Sequence, residues 1–504
     1  MLGSCSKMFT SAAVAMLVSE GKLQWLDPVK KHLPEFDPEG DARIGQNADL
    51  IDLLRHSTGV TPPGTLCLGP RGTILTNAED LIQLLNMMPT ADKEGQRFNR
   101  HWQYNNFTYG LVAEVVERVT GQRFMDFVRE RILQPLGMTR TALARADMAD
   151  EDNFAAPCAT LDDGRFIQLA SESWPCEDHS PLLAATGMRS SINDMLNWCM
   201  AVLSAERTET QSLKQVAPIS DTPLFDGRNN PLKEMSRARR GYWTRPADDP
   251  SVSKDASYCM GWIRMDLPSS MLGAFSGNRF SREKDHRMHL KHILGMESDP
   301  ILAIGHTGGM LGSIATVWTF PDTQSAVVTM TNGRDFGDAS DFAAQILIQA
   351  LFVLTPRVDL TPWVKTEVDL AQRFFDEGLL RPWKENRRLT DAKRDPLIYV
   401  GEYRGFRGLF TLSVISDTAP PGSGSKLALV FNNRKASTRR LVYFRKDVYS
   451  FFPEDRNTFV ADSMIMWDYR QSLLEFELDC AADQVTGLWW LWDTDEKPAF
   501  LRRT

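Results

Sequence analysis

The sequence predicts an α+β protein in which an antiparallel sheet flanked by helices is followed by a small antiparallel β-barrel. Apolar residues recur with helical spacing in the first part of the chain, alternate with a period of two from Ile301 to Thr331, and alternate again in short segments after Ile398. The 504 residues also exceed the roughly 250–300 that one hydrophobic core usually holds.

The first part of the chain is predicted to be mainly helical. An apolar stretch over residues 4–20 ends at Gly21, a residue type that often terminates helices. Further helices are expected at Asp49–Arg55, Asn77–Met88, Leu111–Val119, Phe124–Leu133 and Asn193–Val202. Residues 204–300 are rich in proline and charge, and we expect loops and insertions there.

An antiparallel meander of three strands is expected next. The strands are Ile301–Thr307, Ser313–Phe320 and Ser325–Thr331, with glycine and Pro-Asp-Thr turns between them. A helix over Ala339–Leu354 closes this first domain, and a linker helix over about 361–387 follows.

The tail is predicted to hold eight short strands without intervening helices. They are Ile398–Arg404, Leu409–Ile415, Leu427–Phe431, Arg440–Arg445, Tyr449–Phe452, Met464–Tyr469, Leu473–Leu478 and Thr486–Trp492. Evenly spaced short strands favour a small closed barrel. We therefore divide the chain into a first domain over 1–355, a linker helix over 356–390 and a barrel domain over 391–504.

Composition narrows the class of partner. The formal net charge of −8 argues against a nucleic-acid partner, and the absence of a run of about 18 apolar residues argues against a membrane span. The seven cysteines form no Cys-x-x-Cys pair, and the first residues lack the basic segment of a signal peptide, which together favour a cytoplasmic location. No His, Cys or carboxylate cluster has ligand spacing, so we expect no metal and no cofactor.

A serine with a lysine three residues later is a candidate nucleophile and base. Such a pair occurs five times, starting at Ser4, Ser19, Ser251, Ser281 and Ser423. Only Ser4 opens a long apolar helix, where Lys7 lies one turn away on the same face and the helix dipole favours an alkoxide. The competing interpretation is that Ser4 is an ordinary helix cap.

A second candidate motif is Tyr104-x-Asn106, which is the only Tyr-x-Asn in the sequence and directly precedes a helix. A phenol whose pKa is lowered by a nearby ammonium can act as a general base or acid, and a carboxamide can hold an ester or amide carbonyl. The competing interpretation is that Tyr104 is a half-buried core residue.

The third motif, His306-Thr307-Gly308-Gly309, ends a predicted strand. Glycines let a strand lie close to a ligand, and a free backbone N–H there can join that of Ser4 in holding an oxyanion. Considered alone, a histidine next to a turn, such as His306, more often has a structural role.

The order of these three motifs resembles that of the serine β-lactamase and penicillin-binding protein family, in the branch of class C enzymes and related esterases and transesterases. The segments Leu53–Gly59 and Ala184–Met195 add to the resemblance, which covers about residues 1–355. It implies a β-lactamase/transpeptidase-like catalytic domain. The tail, notably Ile398–Tyr403, resembles the lipocalin-like barrel appended to some members.

The resemblance implies a role for each motif residue. Ser4 would form an acyl-enzyme, Lys7 and Tyr104 would shuttle its proton, and Asn106 would orient the lysine and the substrate amide or ester.

The third motif would complete this site. The backbone N–H groups of Ser4 and Gly309 would form the oxyanion hole, next to Gly308, while His306 and Thr307 would line the leaving-group or carboxylate side. β-Lactamases keep a lysine where this chain has His306, which favours esterase-like substrates over β-lactams.

The resemblance also implies strands ahead of the catalytic serine. Only three residues precede Ser4, so the front strands are absent from this sequence, and we expect the edge of the strand Ser325–Thr331 to be exposed.

These observations predict a serine hydrolase or acyltransferase (transesterase) that acts on a small ester, lactone or amide, with secondary metabolism as one setting. An inactive relic that binds a partner and a D-amino-acid peptidase are the alternatives. The sequence leaves hydrolysis and transfer open and gives no oligomeric state.

Overall fold

The computed structural model describes residues 1–144, 146–148, 153–169, 180–214, 230–310, 312–334, 336–417, 426–479 and 484–504. Three residues that the sequence analysis counted lie outside the described residues, namely Cys176, Ser423 and Cys480.

Helices dominate the first part of the structure, as predicted. They are α1 (Lys7–Ser19), α2 (Val29–His32), α3 (Ala42–Asn47), α4 (Leu50–Leu54), α5 (Gly64–Cys67), α6 (Leu81–Met87), α7 (Phe107–Thr120), α8 (Phe124–Val128), α9 (Leu183–Thr186), α10 (Ile192–Lys214), α11 (Met235–Ala238), α12 (Met288–Lys291) and α13 (Ala339–Phe352). α10 extends beyond the predicted end at Val202, and α8 continues as a π-helical turn over Arg129–Leu133.

The central helix is α1. Every residue from Lys7 to Leu17 is buried, because α7, α8, α9 and α11 pack around this helix. A helix that is apolar on all sides can form only in such an interior position. Phe9 stacks on Trp198 of α10, with ring centroids 3.9 Å apart, and so fixes the rotation of α1 in the core.

The main sheet contains six antiparallel strands. In chain order they are β5 (Trp243–Arg245), β6 (Ala256–Tyr258), β7 (Ile263–Leu267), β8 (Ile301–Met310), β9 (Ser313–Phe320) and β10 (Ser325–Thr331), and each pairs with the next. The predicted meander is confirmed as β8, β9 and β10. Short pairs elsewhere are β1 (Ala91–Asp92) with β2 (Gly95–Gln96), and β3 (Cys158–Thr160) with β4 (Phe166–Gln168) and β11 (Gly333–Arg334).

The expectation of loops over residues 204–300 is wrong in part, because β5, β6 and β7 supply half of the main sheet from this region. In β7, Ile263, Met265 and Leu267 face the core while Arg264 and Asp266 face outward. This alternation is the signal of a half-buried strand, but it spans only five residues among charged loops.

β10 is the outermost strand of the main sheet at the end next to β9. Within the described part of the chain its outer edge pairs with no other strand, as the sequence analysis expected. α10 and α13 pack against this strand.

A closed antiparallel barrel follows the sheet. Its strands are β12 (Gly401–Gly405), β13 (Phe410–Ser416), β14 (Leu427–Phe431), β15 (Arg439–Arg445), β16 (Val448–Ser450), β17 (Leu473–Asp479), β18 (Gln484–Trp490) and β19 (Ala499–Arg503). The barrel is confirmed, with two corrections. Met464–Tyr469 is not a strand but part of a loop that follows the short helix α16 (Arg456–Ala461), and the unpredicted β19 closes the barrel against β12 and β18.

The region predicted as a linker helix is helical. It consists of α14 (Thr361–Arg373), a π-helical segment (Phe374–Leu380) and α15 (Arg381–Asn386). The barrel lies against the first part of the chain through polar contacts, among them Arg97 with Glu496 at 3.2 Å and Asn432 Nδ2 donating to the Leu75 carbonyl at 2.6 Å.

No helix in the described ranges has both the length and the apolar character needed to cross a bilayer.

Candidate active site

A cleft of about 570 Å³ lies where the start of α1, the end of β8 and the barrel meet. Among the residues that line it are six of the eight predicted site residues, namely Ser4, Tyr104, His306, Thr307, Gly308 and Gly309. The other two are Lys7, which is hydrogen-bonded to Ser4, and Asn106, which is hydrogen-bonded to Lys7. The fold thus brings all three sequence motifs together.

The turn that carries Ser4 packs very closely on β8. Gly3 to Ser6 form one 3₁₀ turn, so Ser4 lies just ahead of α1 rather than inside it. A Cβ on Gly3, which has φ of +51°, would lie 2.5 Å from the Gly309 nitrogen, and one on Gly308 would lie 2.0 Å from the Leu2 carbonyl oxygen. Glycine is therefore required on both sides, and the backbone of Ser4 lies directly against Gly308 and Gly309.

Ser4 Oγ has two polar neighbours. Lys7 Nζ lies 3.0 Å away, and the Tyr104 hydroxyl donates to Ser4 Oγ at 2.7 Å. Lys7 Nζ also donates to Asn106 Oδ1 at 2.6 Å and to the Ala185 carbonyl at 3.3 Å. These contacts place one amine and one phenol on the serine oxygen at hydrogen-bonding distance.

Burial holds the pKa of Lys7 well below its usual value, because the amine is fully enclosed. Among the described residues, no carboxylate forms an ion pair with Lys7 to offset this effect. A neutral amine has two N–H donors and one lone pair, and the oxygens of Asn106 and Ala185 can only accept. In the neutral form the two donors would point to those oxygens, and the lone pair would face the Ser4 hydroxyl proton.

The expectation that a nearby ammonium lowers the pKa of Tyr104 is wrong. Burial raises the pKa of this phenol, although Lys7 Nζ lies only 4.7 Å from the ring centroid. Tyr104 therefore stays protonated and acts as a hydrogen-bond donor to Ser4, which leaves Lys7 as the group suited to accept the proton.

The residue inside the Tyr-x-Asn motif, which the sequence analysis passed over, fixes the local backbone. Asn105 is buried, its Nδ2 donates to the Val60 carbonyl, and its Oδ1 accepts from the Phe107 N–H, both at 2.9 Å. The second bond is an Asx-type contact that begins α7. Tyr104 and Asn106 are held on either side of this anchor.

A buried chain of hydrogen bonds lies behind the third motif. The Asn105 N–H donates to His56 Nδ1 at 3.1 Å, so His56 Nε2 carries the proton and donates to the Tyr258 hydroxyl at 3.0 Å. The Tyr258 hydroxyl then donates to His306 Nε2 at 3.1 Å, and His306 Nδ1 donates to the Thr307 carbonyl. Both nitrogens of His306 are thus engaged within the protein.

This environment keeps both histidines neutral. Burial lowers the pKa of His306 to about 3 and that of His56 well below its usual value. In the sequence, His56 was noted only as part of the segment Leu53–Gly59, and Tyr258 lies in the region where loops were expected. No sequence pattern predicted the hydrogen bonds of these two residues, because their partners are distant in the chain.

One wall of the cleft includes Thr307, whose side-chain hydroxyl forms no hydrogen bond with the described residues. Thr307 Oγ1 is buried and has no hydrogen-bond partner among the residues that the structure describes. Thr307 lines the cleft, and a buried hydroxyl without a partner is costly.

The opposite wall was not predicted. It is formed by residues 275–277, 279 and 280, by Phe336 to Asp338, and by Ile465 and Trp467 of the loop that follows α16. Burial beside Asp341 raises the pKa of Asp338. In the described ranges, no group of three or more His, Cys, Asp or Glu side chains is arranged to hold a metal ion.

Comparison with known proteins gives a family match and distant relatives. A family model described as Beta-lactamase matches residues 1–351. The unguisins hydrolase ungD of Aspergillus violaceofuscus is 24% identical over 74% of this chain, and the unguisins hydrolase ungD' of Aspergillus campestris is 25% identical over 80%. The chain spans 59% and 65% of the lengths of these relatives.

One solved structure that resembles the chain is the octameric penicillin-binding protein homologue from Pyrococcus abyssi. It is 17% identical, with a TM-score of 0.49, and the match covers 99% of this chain and 87% of the other.

Proposed function

Because the chain belongs to the β-lactamase family, we propose that it is a serine hydrolase that cleaves a small ester, lactone or amide through an acyl-Ser4 intermediate. The observation that carries this proposal is the contact of Ser4 Oγ with a buried amine of lowered pKa, inside a cleft large enough for a small molecule.

In the acylation step, Ser4 Oγ attacks the substrate carbonyl carbon while its proton passes to the lone pair of Lys7. Asn106 and Ala185 hold the two N–H groups of Lys7 and so keep the lone pair aimed at the serine. A base whose pKa is close to the working pH is effective in this role, and burial lowers the pKa of Lys7 in that direction.

The tetrahedral oxyanion would be held by the backbone N–H groups of Ser4 and Gly309. The close packing that Gly3 and Gly308 permit brings these two parts of the backbone together at the cleft. Fixed N–H donors are effective because they need no reorganisation during the reaction.

Collapse of the intermediate breaks the bond to the leaving group, which needs a proton. Tyr104 is protonated and already donates to Ser4 Oγ, so its hydroxyl is placed to supply that proton and to regain one from Lys7. Lys7 then accepts a proton from the incoming nucleophile as it attacks the acyl carbon, and returns this proton to Ser4 Oγ when the bond between the acyl group and Ser4 breaks. Water as nucleophile gives hydrolysis and an alcohol or amine gives transfer, and the two hydrolase relatives favour water.

His306 contributes to this site as a neutral ring. Since both of its nitrogens are bonded within the protein, it cannot anchor a substrate carboxylate as a lysine would. This favours uncharged esters, lactones or amides over β-lactams, and it leaves Thr307 Oγ1 as the polar group on that wall.

The test is the intact mass of the protein after incubation with a fluorophosphonate. We expect one adduct on the wild type and none on Ser4→Ala. Ser19→Ala is the matched control, because Ser19 also has a lysine three residues later but lies exposed at the other end of α1. If the folded wild type takes up no adduct, or if Ser4→Ala is labelled equally, the proposal fails.

A further inference from the structure

The barrel contributes directly to the wall of the cleft that holds Ser4. Ile465 and Trp467 line this cleft together with Ser4, although they lie more than 450 residues away in the sequence. Their side chains are 45% and 46% exposed, so two large apolar groups face open space within the cleft. Exposed apolar surface of this kind often marks a binding site.

The loop that presents these side chains is held at both ends. At its start, the Arg71 N–H donates to the Asp462 carbonyl at 2.6 Å, which ties the loop to the first part of the chain. At its end, the Trp467 N–H donates to Gln471 Oε1 at 2.8 Å. The Arg279 guanidinium stacks over the Trp467 ring, 3.6 Å from its centroid. The loop is therefore a fixed wall rather than a free surface segment.

A side pocket of about 120 Å³ adjoins the cleft at this wall. The walls of the two cavities share Arg279, Phe280, Phe336, Ala371, Ile465 and Trp467. The rest of the side pocket is mainly apolar, with Phe374, Phe459 and Met464 among its residues. Its volume is close to that of apolar cavities of about 150 Å³ that accommodate a benzene ring.

Resting on the proposed function, we propose that this side pocket, formed between the barrel loop and the first part of the chain, binds an apolar group of about phenyl size on the substrate of Ser4. Aromatic walls and a stacked guanidinium favour a flat aromatic ring. The barrel then acts in substrate selection, and Trp467 is a specificity-determining residue.

Two ester series test this inference. In the first, p-nitrophenyl esters carry acyl groups from acetyl to phenylacetyl and 3-phenylpropanoyl; in the second, acetate esters carry alcohols from methanol to 3-phenylpropanol. We expect kcat/KM to rise about tenfold to hundredfold with the phenyl group in one series, as for other apolar pockets. In Trp467→Ala, the ratio of kcat/KM for the phenyl ester to that for the smallest ester should fall at least fivefold.

The matched control is Trp489→Ala, another half-exposed barrel tryptophan whose contacts are to Glu477 and Phe500 of the barrel itself. This variant should keep the wild-type ratio, and Trp467→Phe should restore most of the preference. Thermal melting of each variant confirms folding. A ratio that is the same in Trp467→Ala and the wild type, or no preference in either series, overturns the inference.

Calorimetric binding of 3-phenylpropanoate and 3-phenylpropanol to Ser4→Ala separates this inference from the proposed function. If Ser4→Ala binds these compounds and the double variant with Trp467→Ala does not, the side pocket is supported. This holds even if the wild type takes up no fluorophosphonate, a result that would refute only the proposed enzymatic activity. Fluorophosphonate labelling of Ser4 without any phenyl preference or binding would refute the pocket and leave the enzyme.

Discussion

Replacement of Lys7 by methionine removes the amine while keeping an unbranched side chain of similar length. If Lys7 is the general base, acylation of Ser4 should slow by about 10²- to 10⁴-fold. That range corresponds to about 2.7–5.4 kcal/mol of transition-state stabilisation.

The effect on stability should be much smaller. Lys7→Met leaves the buried Ala185 carbonyl without its donor, at a cost of about 1–3 kcal/mol, whereas Asn106 is half-buried and can bond to water. Removal of the buried amine should raise the free energy of unfolding, because no carboxylate in the described residues offsets the cost of burying it. The free energy of unfolding should therefore fall by no more than about 3 kcal/mol.

The assay is the second-order rate constant of fluorophosphonate labelling, measured by intact mass, beside a urea unfolding curve for each protein. Lys22→Met, in the exposed Ser-x-x-Lys at the end of α1, is the control and should keep the wild-type rate. A folded Lys7→Met protein that is labelled within tenfold of the wild-type rate would refute the assignment of Lys7 as the base.

Three further predictions concern the groups around Ser4. Gly308→Ala places a Cβ 2.0 Å from the Leu2 carbonyl oxygen, so we expect the free energy of unfolding to fall by about 1–3 kcal/mol. Gly309→Ala is the control, because its Cβ meets no heavy atom within 4 Å in the described structure, and it should unfold like the wild type. The pKa of His306 is about 3 in the folded state and about 6.5 in the unfolded state, so as the pH falls the unfolded state binds a proton first. The free energy of unfolding should therefore fall by up to about 1.4 kcal/mol per pH unit below pH 6.5. Urea midpoints of the wild type, compared with those of His306→Gln, measure this effect. Tyr104→Phe should slow alkyl ester or amide cleavage about tenfold more than p-nitrophenyl ester cleavage, because nitrophenolate leaves without a proton.

Each of these predictions has a clear contrary result. Equal unfolding curves for the two glycine variants would contradict the close packing of the Ser4 turn on β8. A wild-type stability that follows that of His306→Gln from pH 7 to 5 would contradict a buried neutral ring. Equal losses on both ester types in Tyr104→Phe would argue against proton donation to the leaving group.

Sequence patterns predicted the parts of the fold that have strong periodicity. α1 was recognisable because it is apolar on every side, and β8 to β10 were recognisable because their alternation is long and separated by glycine and proline turns. β5, β6 and β7 were missed because three to five residues among charged loops carry too little pattern. β19 was missed because its place depends on closure against the distant β12.

In the site as well, residues close together in the sequence were predicted, whereas contacts between distant segments were not. The motif residues were found because their spacing is local, as in Ser4 and Lys7. Contacts between distant segments left no such trace, which is why Tyr258 behind His306 and Trp467 across the cleft were not predicted. The pKa of Tyr104 was misjudged for a related reason, since burial depends on the complete packing around the phenol.

In the proposed mechanism, Lys7, held neutral by burial, activates Ser4. This claim is tested most directly by the rate constant of fluorophosphonate acylation of the wild type from pH 5.5 to 10.5. We expect the rate to reach its plateau well below the ordinary lysine pKa of about 10.4, and this inflection to be absent in Lys7→Met. An inflection at the ordinary lysine pKa, or one that persists unchanged in Lys7→Met, would contradict it.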